Sequence, residues 1–537
     1  IYFTKSNKIA FRHGANWVYY YPIPSSDNTG TYWNSLSDFI GRFTDIQRDW
    51  QSVAIPINVG SNGITNFIED RAIGHTNGVD LIDINEGGLL GSGMHCSIAT
   101  NFNTGWMIGN NRGAFLSSTD DTNLTSGNNK VNNGTFNSNA SGWYGDSGAA
   151  ISWDSGGFAL VTNGGGDNTY AIAQSGILVV GKKYRITGRV NPAIPSGTYE
   201  FRVRAGGSGT QWNITSGLTN GQWYSFDTGV VTADGANLEI GSVGGHMTSF
   251  YIDDVVVKEF DDDRSVKNNG LEVFGTIEKH PVASGAELVS YRPNSSSLGD
   301  NYLRVPLTSS IFDLTGEWSI TFWAKKNGST AQNYSGWEIA PDDISSNSVY
   351  SIIALSMYFD NTGVCGLRGM NGGANQDAPN LPFNTQDFWR CVSIVQRSGT
   401  TYLYIDGELV NSGSVTYANP SSAYSLYIFG WSYGSTRYYG RRHIDFSLFR
   451  MSESALTVEQ VKKIYHDEKH LFHENAKCTL YGTSDNVKAL AFDDTTNVLH
   501  VGTSSGRTDF RGLKRINNTT TAVTTAISVS NGLVAEQ

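Results

Sequence analysis

Flat aromatic side chains set among small polar residues are the groups in this 537-residue sequence best suited to chemistry. A pyranose ring presents an apolar C–H face that stacks on an indole or a phenol, while its hydroxyls need a few polar partners. Trp153 and Trp212 lie among Gly, Ser and Asn, and Tyr199 follows a Gly-Thr pair, so all three are candidate platforms. A second cluster, Trp431-Ser-Tyr-Gly-Ser-Thr-Arg-Tyr-Tyr439, gathers Trp431, Tyr433 and Arg437 in one short stretch and reads as a contact surface. It reads equally well as a hairpin covering a sandwich, and both readings stay open.

Adjacent acids recur at Asp120-Asp121, Asp253-Asp254, Asp342-Asp343 and Asp493-Asp494. Neighbours on a strand point to opposite faces. Such a pair therefore does not set two carboxylates about 5–10 Å apart across one glycosidic bond, as acid–base hydrolysis requires. No P-loop, dinucleotide fingerprint or Gly-x-Ser-x-Gly elbow occurs. His466-Asp-Glu-Lys-His470 places two imidazoles at i and i+4, but Asp467 stands where a zinc-protease helix carries Glu. His466, His470 and His473 are read as structural residues near a helix C-terminus, where the dipole favours them. The expectation is a chain without catalytic residues.

The elements that carry these groups are strands. Asp313-Leu-Thr-Gly-Glu-Trp-Ser-Ile-Thr-Phe-Trp-Ala324, Asp387-Phe-Trp-Arg-Cys-Val-Ser-Ile-Val395 and Thr401-Tyr-Leu-Tyr-Ile-Asp-Gly-Glu-Leu-Val410 alternate apolar and polar residues between turn signals. That pattern predicts half-buried antiparallel strands. With 61 Gly, 12% aromatic and only 16% charged residues, the composition suits an all-β protein rich in tight turns. The length exceeds one core and predicts about three or four domains. One helix is predicted near 456–472. Thr457-Val-Glu-Gln460 forms a capping box, and Val458, Val461, Ile464, Tyr465 and Leu471 supply an apolar face.

A net charge of −11 argues against binding nucleic-acid phosphates. No run of 18 apolar residues exists, so no membrane-inserted helix is expected. The start at Ile1, with no leader in view, leads us to expect residues upstream. Cys96, Cys365, Cys391 and Cys478 are too sparse for a disulfide framework and read as buried thiols, with a Cys365–Cys391 bridge left open.

Polar stretches at Asp120–Asn129 and Asp261–Arg264 mark boundaries. They divide the chain into 1–127, 128–262, 265–473 and 474–537. The outer two segments share a pattern. Ile98 to Phe115 and Leu490 to Phe510 each read strand, turn, strand, turn, strand, and Ile64 to Ile84 is a weaker copy. Repeated small sheets of this kind predict propeller-like blades, with the two middle segments inserted between them.

The two middle segments resemble known jelly rolls. Val131-Asn-Asn-Gly-Thr-Phe-Asn137 with Trp143, then Gly176 to Thr187, then Ser249-Phe-Tyr-Ile-Asp-Asp-Val-Val-Val257 are similar to a carbohydrate-binding-module jelly roll. The strands quoted above resemble a laminin-G-like, concanavalin-type jelly roll. From Ile98 onward, and most closely at Ala455 to Glu536, the whole resembles tail-fibre and virion structural proteins of tailed bacteriophages, marine ones in particular.

The resemblance implies a virion-surface protein, extracellular, that attaches to host-surface polysaccharide or other glycans. It also implies contact with other virion proteins and homo-oligomers. It puts Trp143 and Trp223 in the core. It implies a structural calcium held by Asp254 and residues near Asn133, although Asn137 replaces the family's acidic residue. The concanavalin-type glycosidase signature, Glu-x-Asp-x-(x)-Glu, is absent. A purely structural or decorative fibre protein, or the binding part of a polysaccharide-degrading enzyme, are the other readings.

Overall fold

A computed structural model describes residues 72–523 apart from a set of loops, among them 84–92, 163–169, 194–199, 244–248, 295–300, 327–334, 343–353, 383–387 and 440–443. Outside that span it describes the strands Tyr2–Phe3, Ile9–His13, Asn16–Tyr20, Asn66–Ile68, Ile527–Ser528 and Val534–Ala535. The protein is all-β and multidomain, with a single α-helix among the described residues.

Period-two patterning does the work expected of it. In the strand Trp318–Lys326, the side chains of Trp318, Ile320, Phe322 and Ala324 enter the core of a concanavalin-like jelly roll. Trp323 points the other way, into a second apolar cluster, where it stacks on Phe472 at 4.1 Å. The strand pairs antiparallel with Arg390–Arg397 on one side and Ile444–Ser452 on the other. The opposing sheet of the same roll includes Tyr302–Leu307, Tyr424–Ile428, Ser335–Pro341 and Leu355–Phe359.

The carbohydrate-binding-module-like segment is a second jelly roll with its own core. One sheet runs Tyr144–Gly145, Tyr170–Gln174, Leu238–Val243, Glu200–Ala205, Gln211–Ile214. The other contains Ala150–Asp154, Phe158–Thr162, Ser249–Asp261, Lys183–Pro192 and Tyr224–Thr232. Its long strand Ser249–Asp261 does not end at the domain edge. Phe260 and Asp261 pair with Glu272 and Leu271 of the strand Leu271–Phe274, which pairs with Tyr302–Leu307 of the concanavalin-like roll. One continuous sheet thus runs through both rolls. Lys258 and Arg304 both reach the buried carboxylate of Glu272 across this seam.

The point of insertion differs from the sequence reading. Asn111–Phe115 pairs with Ile444–Ser452, and Leu124–Thr125 pairs with Thr276–Pro281. These strands, read from sequence as part of the N-terminal body, belong to the concanavalin-like sheet. The first roll is therefore inserted inside the second. Its two ends meet: Asn129 bonds the backbone of Val255 and Val257, while Asp263 accepts the backbone N–H groups of Ala114, Ser265 and Asn269. From sequence, Asp261–Arg264 reads as a polar boundary stretch. Asp263 is instead buried, because a carboxylate can satisfy several backbone donors at once.

The outer segments form two antiparallel meanders, one from Asn66–Ile68 to Met107–Ile108 and one from Val487–Asp493 to Lys514–Asn518. They pack together. A Cβ on Gly74 would lie 2.5 Å from a Val487 methyl, and Leu480 N–H bonds the carbonyl of Ala99. The ring of blades that a propeller needs is not among the described residues.

The helix Val458–Glu468 opens on the Thr457/Gln460 capping box. It buries Gln460, Val461, Ile464 and Glu468, whereas Val458 is 38% exposed, one turn position off the buried stripe. Cys96, Cys391 and Cys478 are buried free thiols. Cys391 is a free thiol in the second apolar cluster, outside the core between the two sheets, so the bridge to Cys365 is not formed.

Candidate functional site

The opening loop of the first jelly roll is built around two residues in the left-handed region, Asn133 at φ 54° and Phe136 at φ 44°. Asparagine tolerates that conformation; phenylalanine is held there by its ring, which is wholly buried and lies 5.6 Å from Trp143. The Asn133 amide nitrogen donates to the carbonyls of Asn139 and Ser141 and so closes the loop. Gly134 passes so close to the closing strand that a Cβ there would sit 2.0 Å from the Val255 carbonyl oxygen.

This loop anchors Trp153, which lies on the strand Ala150–Asp154. The indole Nε1 donates to the carbonyl oxygen of Phe136 at 2.7 Å, yet Trp153 is 42% exposed. Its polar edge is satisfied and its ring orientation fixed, leaving apolar surface for a partner. Tyr144, 41% exposed, lies on the strand Tyr144–Gly145 of the opposite sheet, and its hydroxyl shares a 2.7 Å hydrogen bond with Ser175. A rigid, solvent-facing indole can stack on a sugar ring without a large entropic cost.

The remaining sequence-predicted residues are placed less fully. Tyr199 lies outside the described residues. Trp212 is on the strand Gln211–Ile214, opposite Val203, at the far end of the other sheet. Trp431, Tyr433 and Arg437 do form a hairpin, with Trp431 opposite Tyr438 and Tyr433 opposite Thr436, and only its backbone is described. It belongs to the concanavalin-like roll, whereas Trp153 and Trp212 lie on different sheets of the first roll.

Asn133 and Asp254 are neighbours through the backbone: Val255 N–H bonds the Gly134 carbonyl at 2.9 Å. Their side chains part company. Asp254 turns to Arg189, 2.9 Å from its Nε, and Asn133 uses its N–H₂ on loop carbonyls. No cluster of three or more His, Cys, Asp or Glu side chains able to hold a metal occurs among the described residues. The arrangement does not fit the oxygen cage that calcium takes.

Sequence reasoning missed a second surface on this roll. Arg189 and Asn191 on Lys183–Pro192 lie opposite Asp253 and Tyr251 on Ser249–Asp261. The Arg189 guanidinium sits 4.7 Å above the Trp223 ring. Phe158 touches both Trp223, at 5.4 Å, and Tyr251, at 4.9 Å, edge to face. Trp223 was assigned to the core; it is half-buried at the surface instead, with Arg189 as its cover. Asp253 and Asp254 were expected on opposite faces. A register shift beside Arg189 and φ 52° at Asp254 break the alternation, and both carboxylates reach the same guanidinium.

His466, His470 and His473 are exposed on the helix end. His470 is held below the usual imidazole range by partial burial and by Lys469. The buried end of that helix carries Glu468, which accepts from Trp106 N–H at 2.8 Å, Trp323 Nε1 at 2.7 Å and both terminal nitrogens of Arg450. Its role is to fasten helix, meander and jelly roll together.

Residues 297–462 match the family described as the concanavalin A-like lectin/glucanases superfamily. The fold and that match define a multidomain β protein carrying a laminin-G-like, lectin-type jelly roll. No curated protein sequence matches the chain. Among solved structures it is similar to the botulinum neurotoxin serotype D binding domain, with 13% identity over 46% of this chain and 59% of that one, at a TM-score of 0.31. The binding domain of botulinum neurotoxin DC, solved in complex with rat synaptotagmin II, gives 16% identity, 48% and 60% coverage and a TM-score of 0.30. The Trypanosoma rangeli sialidase gives 11% identity, 40% and 31% coverage and a TM-score of 0.28. The chain spans less than two thirds of each, and likeness at this level is too distant to carry a function across.

Proposed function

We propose that this chain is a binding protein of a phage virion appendage, tail-fibre-like, that attaches to host-surface glycans through its β-sandwich modules without cleaving them. The observation that carries the reading is Trp153: a 42% exposed indole whose N–H is already satisfied by Phe136. The lectin-type family match on the neighbouring roll supports it. Location on the virion surface, contact with other virion proteins and self-association belong to the same reading. Linked copies would rebind at high effective concentration, raising avidity by about 10²–10⁴ over a weak single site.

The test is a glycan array probed with the full chain, followed by calorimetry on the best ligand. Trp153→Ala is expected to weaken binding by about tenfold, near 1.4 kcal/mol, with the fold intact by circular dichroism. An array on which the full chain binds no glycan sinks the reading and leaves a structural fibre protein.

A further inference from the structure

The outer face of the sheet containing Phe158–Thr162, Ser249–Asp261 and Lys183–Pro192 has the makings of a site that the Trp153 corner does not use. Trp153 pairs in register with Ala159, whose side chain is wholly in the core, so the indole lies toward the inner face at the sheet edge. Phe158, Tyr251, Trp223 and Arg189 lie on the other face. Three half-buried rings there form an apolar wall, and the guanidinium caps one of them.

Beneath that wall lie acceptors with nothing to accept. Asp253 is 3% exposed; one carboxylate oxygen pairs with Arg189 and the other, Oδ1, has no hydrogen-bond partner. Asn191, 7% exposed and two residues along the strand from Arg189, has its Oδ1 unpartnered as well. A buried acceptor without a donor costs free energy that an incoming hydroxyl would recover. Rings that offer a stacking face, a carboxylate and an amide oxygen that need donors, and a guanidinium that supplies them, match one ligand chemistry: a polyhydroxylated ring.

The charge on this face narrows the class. Asp154, Asp253 and Asp254 supply three carboxylates against the one guanidinium of Arg189. A uronate or sialate would bring its own carboxylate into that field, and like-charge contact disfavours it. We infer that the Phe158–Trp223–Tyr251 face is a second carbohydrate subsite, selective for neutral sugars, with Asp253 and Asn191 accepting from ligand hydroxyls. The inference rests on the glycan-binding reading and adds a separate site to it.

The experiment uses the full chain, titrated by calorimetry with neutral gluco-, manno- and xylo-oligosaccharides and with an oligouronate. Saturation-transfer NMR then maps the contacts in Trp223→Ala, Asp253→Asn, Tyr251→Ala and Trp153→Ala. We expect a neutral oligosaccharide whose affinity falls about tenfold in Trp223→Ala and in Asp253→Asn, with residual binding that depends on Trp153. Asp253→Asn is isosteric, so it keeps the test valid if Trp223→Ala perturbs folding. If Trp153→Ala abolishes all binding while Trp223→Ala and Asp253→Asn change nothing, the second subsite is wrong and the Trp153 reading stands. Preferential oligouronate binding lost in Trp223→Ala overturns the neutral-sugar assignment. Absence of any sugar binding to the wild-type chain overturns both.

Discussion

The side-chain amide of Asn103 donates to the backbone carbonyl of Cys478 at 2.9 Å, joining residues 375 positions apart. The same amide reaches the Leu513 carbonyl at 3.2 Å. Both partners belong to the C-terminal segment and Asn103 to the N-terminal one, with both jelly rolls between them in sequence. The two outer segments are thus clasped to each other as well as packed through Val487 and Leu490.

Asn103→Ala removes both donors and leaves two buried carbonyls short. We expect a loss of about 1–3 kcal/mol, seen as a lower denaturation midpoint. Hydrogen exchange should quicken in Val487–Asp493 and Met94–Ile98 before it does in the first jelly roll. Uniform exchange across all regions would mean that the clasp does not define a separable body.

Arg450 and Glu468 are 5% and 0% exposed and form the most buried ion pair at the helix–sheet junction. Glu468→Gln keeps shape and most hydrogen bonding but strands the guanidinium. We expect it to cost about 3–5 kcal/mol, whereas the double change Arg450→Met with Glu468→Leu should recover much of the loss because no unpaired charge remains. A thermal melt of the three proteins checks the order. A double variant weaker than Glu468→Gln would show that the hydrogen bonds to Trp106 and Trp323 dominate instead.

Much of the fold is legible in the sequence because burial and periodicity are local signals. The alternation in Trp318 to Ala324 and the Thr457/Gln460 box translate directly into a strand and a capped helix. Features that depend on what lies across the sheet are not legible. The Asp253-Asp254 pair converges on Arg189 only because the strand is bulged, and no residue type announced a bulge there. Trp223 looks like a core residue until Arg189, 34 positions earlier, is brought over it. The exposure of Trp153 was legible because the Ser and Gly residues around it lack the bulk to bury an indole. The nested insertion escaped notice because Asn111–Phe115 reads as a blade strand, and only its pairing with Ile444–Ser452 shows its allegiance.

Burial pushes the thiols of Cys96, Cys391 and Cys478 well above their usual range, with desolvation the largest cause in each. Only the thiolate reacts with a disulfide reagent. In a Cys365→Ser background, the native protein should therefore resist a thiol-exchange reagent at neutral pH and release three equivalents once unfolded. Rapid labelling of the native state would contradict the burial of these side chains.

Two tyrosines set an alkaline limit. Burial raises Tyr184 to about 12, although the Val179 N–H on its hydroxyl works in the opposite direction. Burial, then the nearby Asp313 and Glu453 carboxylates, raise Tyr424 to about 12, where its hydroxyl donates to the Phe312 carbonyl at 2.7 Å. In the unfolded chain both titrate near the ordinary value of about 10. The unfolded state therefore loses these protons first, and folding resists their loss. The associated stability is fully present below pH 10 and falls as pH rises toward 12. Denaturant midpoints measured across that range should drop more steeply for the wild type than for a Tyr184→Phe, Tyr424→Phe double variant, which lacks both ionisable groups. The variant should begin from a lower midpoint at neutral pH, since Phe312 loses a donor, so the two curves converge on the alkaline side. Parallel curves would show that neither phenol titrates differently in the folded and unfolded chains.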